Sequence, residues 1–134
     1  MKKQAFTLIE VIVAIGIFVM TILGIISFFG YSAQVNRFSK NITVASNLAQ
    51  ATIDENISKS YDQITVGNGT RTRFSADQAD PYYGYEKKVD VTYVDQNLNA
   101  AGTNTGLIKI VCTIYWFEGA SEKNVQVATL KSDF

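Results

Sequence analysis

Histidine is absent from the 134 residues. The commonest general base and a common metal ligand are therefore missing, which argues against an enzyme built on acid–base or metal chemistry. A single cysteine, Cys112, excludes an intramolecular disulfide. Neither sign of charge is in excess: 12 Lys and Arg balance 12 Asp and Glu, so no basic footprint for nucleic acid is present. Proline occurs once, at Pro81, which leaves everything before it free of helix breakers. There is no phosphate-binding glycine loop and no recognisable nucleophile–base pair, and no cofactor is expected.

What the chain does have is a long apolar run. Val11 to Gly30 contains no charged residue, and about 20 apolar residues span a bilayer as a helix. Lys2 and Lys3 precede the run, and one carboxylate, Glu10, stands at its start. An ionisable group there is costly and reads as functional. The run is too long for the core of a cleavable secretory signal, and Tyr31 breaks the small-residue pattern around Tyr31-Ser32-Ala33. A membrane anchor fits better, with Lys2 and Lys3 cytoplasmic and the longer C-terminal part exported.

The helix pattern continues past Gly30 and becomes amphipathic. Phe38, Ile42, Ala45, Ala49, Ile53 and Ile57 recur at three- and four-residue steps. The spacing predicts one helix from about Phe6 to about Ser58, on the order of 80 Å long, with its first half in the membrane. Residues 61–85 read as loop, with a turn at Gly67-Asn68-Gly69 and an aromatic cluster at Tyr82, Tyr83 and Tyr85. The cluster reads as cover for the edge of a small core, or else as a contact surface. Asp77, Asp80 and Glu86 lack the spacing of a calcium loop, so no metal is expected there.

Three strands are expected after the loop, over residues 86–95, 107–117 and 123–130. In the second, Ile108, Ile110, Cys112, Ile114 and Trp116 share one face, while Val111, Tyr115 and Phe117 make the other face apolar too. That marks a central strand with one face against the helix. Short connections favour an antiparallel meander. The expected class is therefore α+β: a long N-terminal helix packed on a small antiparallel sheet of about three strands.

Lys2-Lys3-Gln4-Ala5-Phe6-Thr7-Leu8-Ile9-Glu10-Val11, followed by the uninterrupted apolar helix, resembles the N-terminal signature of type IV pilins and type II secretion pseudopilins. The resemblance implies a leader over residues 1–5, a filament-core or transmembrane helix half over 6–30 and an exported globular domain over 31–134. It implies cleavage by a prepilin peptidase between Ala5 and Phe6, N-methylation of Phe6 and a role for Phe6 and Glu10 in assembly. The implied partners are that peptidase and other pilin-like subunits. The implied location is the bacterial cytoplasmic membrane, crossed once, and then a pilus or pseudopilus. Ala5 stands where the family usually has Gly. Ser27 stands near where many major pilins carry a proline, which fits a minor subunit better.

The motif also makes chemical sense. Phe6 and Glu10 are four residues apart and share a helix face. A freed Phe6 amine and the Glu10 carboxylate are each expensive alone in an apolar layer and tolerable as a pair. A neighbouring subunit shifted along the axis brings its amine to this carboxylate, which fixes register. The competing reading is that Glu10 only complements the helix dipole, worth less than ~1 kcal/mol. At the level of the whole protein, the alternative is a single-span protein whose exported domain binds a ligand without assembling.

Overall fold

The structure, a computed structural model, describes residues 7–133. Helix α1 runs Leu8–Ser58 and is followed by a short 3-10 turn, Tyr61–Gln63. Strands β1 (Thr72–Arg73), β2 (Tyr85–Tyr93), β3 (Leu107–Glu118) and β4 (Ser121–Ser132) complete the order. The strands form one antiparallel sheet in the order β1-β2-β3-β4. The α+β architecture is the expected one, but the strand count is four rather than about three. The additional strand, β1, pairs only Thr72 with Lys87 and Arg73 with Glu86, and two residues are too few for alternation to show in a sequence. The expected start of the helix at Phe6 lies outside the described residues.

Two compact units divide the chain, Met1–Ser39 and Lys40–Phe134. In the first, every large apolar side chain from Leu8 to Phe29 is exposed. The polar side chains within this stretch bond back to the helix itself. Thr21 Oγ1 donates to Ile17 O at 2.8 Å and Ser27 Oγ to Leu23 O at 3.0 Å. No hydroxyl is then left to find a partner in lipid.

In the second unit the helix buries Ala45, Ala49, Thr52 and Ile53. Ala45 and Ala49 are wholly buried, and their small side chains let the helix backbone lie close to its neighbours. The Thr52 hydroxyl donates to Leu48 O at 2.8 Å, so its burial leaves no orphan donor. Of the expected stripe, Ile42, Ala45, Ala49 and Ile53 join the core, whereas Phe38 and Ile57 stay exposed. For Ile57 the reason is geometric. Each four-residue step overshoots a turn by about 40°, so three steps carry it roughly 120° around from Ala45.

β3 is central, and Ile108, Ile110, Cys112, Ile114 and Trp116 are all buried. Cross-strand register continues this face: Val89 and Val127 flank Cys112, and Val125 lies opposite Ile114. Burial pushes the Cys112 thiol above its ordinary range, which leaves it a small apolar core residue rather than a nucleophile. Tyr85 packs against Trp116 with ring centroids 6.4 Å apart, and its hydroxyl donates to Asn41 Oδ1 at 3.3 Å. The Trp116 indole N–H finds no acceptor among the described residues. That costs about 1–3 kcal/mol, against roughly 4–6 kcal/mol from burying a ring of this size.

The Gly67-Asn68-Gly69 segment lies along the outer edge of β2. Gly67 exchanges backbone hydrogen bonds of 2.9 and 3.0 Å with Val91. Gly69 donates its N–H to Asp90 Oδ1 at 3.0 Å. A Cβ at Gly69 would sit 2.2 Å from the Val89 carbonyl oxygen, so only glycine allows this approach. In the β2–β3 loop, Asp95 accepts the backbone N–H groups of Asn97 and Asn99. The Asn99 bonds foremost hold its carboxyl below the usual range.

The end of α1 is finished from far away. Its last turn carries no basic residue. Instead Lys131 of β4 donates from Nζ to Ile57 O at 2.6 Å and also to Lys59 O. A cation on terminal helix carbonyls is favourable by hydrogen bonding and by the dipole. Lys131→Met is expected to destabilise the protein by about 1–2 kcal/mol. Amide exchange at residues 55–59 should rise more than at Ile110, and equal protection in both proteins would show that water replaces the lysine at no cost.

The core of the second unit runs from Ile42 to Val127 and uses nothing before Lys40. A fragment of residues 31–134 is therefore expected to be soluble, monomeric and folded, with dispersed amide resonances. A collapsed or aggregated fragment would refute the claim that this core is self-sufficient.

Candidate functional site

The N-terminus of α1 is shaped by two residues. Thr7 occupies the position just before the helix, and Glu10 is the third residue within it. Thr7 donates to Glu10 Oε2 twice, from its backbone N–H at 3.0 Å and from its hydroxyl at 2.9 Å. In return the Glu10 N–H points to Thr7 Oγ1 at 3.4 Å. This is the reciprocal Ser/Thr-x-x-Glu box that satisfies donors a helix start would otherwise leave open. Both strong bonds fall on Oε2. Glu10 itself is exposed.

Around Glu10 the surface is apolar. Glu10, Val11, Ala14, Ile15 and Phe18 line a shallow depression on one side of the helix, floored by the small side chain of Ala14. Every large apolar residue on to Phe29 is exposed. Burial of one such side chain is worth about 1.5–3 kcal/mol, so the belt as a whole represents tens of kcal/mol. A surface of this kind is covered by lipid or by other apolar helices. Among the described residues, α1 is the helix long and apolar enough to cross a membrane.

Residues 1–31 match the model of the prokaryotic N-terminal methylation motif. The chain carries a prepilin-type N-terminus. This is the signature of type IV pilins and pseudopilins, and with the exposed apolar helix it fits a pilin-like, membrane-anchored subunit. The motif points to a structural subunit rather than an enzyme. No curated protein and no solved structure matches the chain.

Of the prepilin-type residues singled out in the sequence, Glu10 lies at the helix start as described. Ala5 and Phe6 lie outside the described residues. Thr7 joins Glu10 as its partner, and the Thr-x-x-Glu spacing ahead of an apolar run is itself a helix-start signal.

The three loop carboxylates are each engaged locally. Asp77 accepts from the Ala79 N–H and Asp80 from the Tyr82 N–H, while Glu86 pairs with Arg71 and Arg73. Among the described residues no cluster of three metal-ligating side chains occurs. The tyrosine cluster separates: Tyr85 enters the core, Tyr83 accepts a hydrogen bond from Arg73 Nη1 at 2.8 Å, and Tyr82 is exposed.

Proposed function

We propose that this chain is a subunit of a type IV pilus or of a secretion-type pseudopilus. It enters the cytoplasmic membrane as a precursor, with Lys2 and Lys3 inside and the sheet-bearing unit outside. A prepilin peptidase cuts between Ala5 and Phe6, and the new Phe6 amine is methylated. Assembly then exchanges lipid around residues 8–29 for the helices of other subunits. Glu10 receives the Phe6 amine of a neighbour, which sets the axial register. The absence of a proline near Ser27 favours a minor subunit.

The observation that carries this reading is the coincidence of the methylation motif with an apolar helix half, Leu8 to Phe29, whose large side chains are all exposed. At the start of that helix sits an exposed carboxylate held by Thr7. Intact-mass measurement of the protein from cells is the test. The expected species lacks Met1 to Ala5 and carries one methyl group on Phe6. Replacing Ala5 by a bulky residue should leave the precursor in the membrane. A wild-type protein that keeps Met1 to Ala5 refutes the proposal.

A further inference from the structure

On the face of the sheet opposite α1, a pit of about 180 Å³ opens between β1, β2 and β3. It is lined by Arg73, Tyr83, Gly84, Glu86, Tyr115, Trp116 and Phe117. Register explains why it exists. Glu86 lies opposite Tyr115, so the next position along β3 on that face, Phe117, falls level with Gly84. Gly84 has no side chain, and a Cβ placed there would meet nothing within 4 Å. Phe117 is 67 % exposed at the rim.

The walls are braced by stacking and ion pairing. Arg71 stacks on Tyr115 with its guanidinium carbon 3.4 Å from the ring centroid, and pairs with Glu122 at 2.9 Å. Arg73 lies over Tyr83 at 4.9 Å and reaches Glu86 at 3.4 Å. Side chains held this way lose little freedom when a ligand arrives.

The lining limits the ligand. The lining carries one cation, Arg73, and one anion, Glu86, paired at 3.4 Å, so a net charge of either sign meets repulsion as well as attraction. A purely apolar ligand would cover the aromatic rings but strip water from Arg73, Glu86 and the Tyr83 hydroxyl without replacing it. A drug-sized ligand needs roughly 300 Å³ or more, so the pit takes a single ring. A neutral sugar ring meets these conditions together. Its C–H face lies on an aromatic ring, and its hydroxyls both donate to Glu86 and accept from Arg73 or Tyr83.

We propose that this pit is a binding site for one neutral pyranose unit, on the exported part of the chain and independent of filament assembly. The test is an amide and Trp116 fluorescence titration of the full chain in a detergent without a sugar headgroup. D-glucose, D-galactose and N-acetyl-D-glucosamine serve as probes, with inorganic phosphate and tetramethylammonium as charged controls. At least one sugar is expected to shift resonances of residues 83–86 and 115–117 saturably, with Kd in the millimolar range that a single small ring reaches. Gly84→Leu fills the pit and Phe117→Ser removes the rim ring. Each should weaken that binding at least about tenfold, equivalent to 1.4 kcal/mol, while the remaining spectrum is unchanged. No shift with any sugar overturns the proposal, as does equal binding by wild type and Gly84→Leu. A response to phosphate or tetramethylammonium alone overturns it as well.

Discussion

Glu10→Gln is expected to cut incorporation into filaments at least about tenfold while leaving the protein inserted, cleaved and helical from Leu8 onward. Glutamine can replace glutamate in the Thr7-x-x-Glu10 box, because the Thr7 N–H and hydroxyl need only an acceptor oxygen. The substitution therefore keeps the local fold and removes only the charge. If assembly pairs Glu10 with a neighbour's Phe6 amine as proposed, that amine would then meet a neutral amide in an apolar layer. Breaking a buried pair costs roughly 3–5 kcal/mol. The wetter headgroup layer moves this toward the lower end or below it, still enough for a drop of at least about tenfold in assembled subunit. Glu10→Val removes the acceptor as well and adds a loss of ~0.3–1 kcal/mol at the helix start. Comparing sheared filament fractions for the two variants separates the roles. If Gln assembles like wild type and only Val fails, Glu10 acts as a helix cap, and the pairing role is wrong.

Ile110→Ala should be the most damaging single truncation in the sheet-bearing unit. Ile110 is wholly buried at the middle of β3, flanked by Val91 and Thr129. Removing its branched side chain sacrifices transfer energy and leaves a cavity that β2 and β4 cannot close, since both are held by continuous ladders. The expected loss is about 2–5 kcal/mol. For a unit of this size that lowers the midpoint of thermal unfolding by at least roughly 8 °C. The near-ultraviolet circular dichroism of Trp116, on the same face, reports it. A shift of only 1–2 °C would mean that Ile110 packs less tightly than its burial indicates.

The parts legible in the sequence are those set by local periodicity. Alternation over residues 107–117 revealed the central strand and the correct inner face, because a two-residue period leaves little ambiguity over so long a run. The end of α1 at Ser58 matches the last position of the apolar stripe, Ile57, although Ile57 itself stays exposed. Features made by distant residues left no such mark. β1 exists only because Thr72 and Arg73 meet the start of β2. Arg71 acquires its meaning from Tyr115 and Glu122, more than forty positions away. The tyrosines at 82, 83 and 85 read as one cluster, yet the turn into β2 sends Tyr83 to the outer pit and Tyr85 to the core. The Thr7–Glu10 box is legible by its spacing alone.

The lysine that closes the end of α1 sets a timetable for biosynthesis. Ile57 and Lys131 are 74 positions apart. Ribosomes add about 5–20 residues per second, so Lys131 is made roughly 4–15 s after the carbonyl it will hold. Over that interval the helix lacks its closing cation, and for most of it also the central strand β3, which is complete only at Glu118. The apolar stripe around Ala45, Ala49 and Ile53 then waits uncovered for its sheet, and the interval is open to chaperones and to proteases.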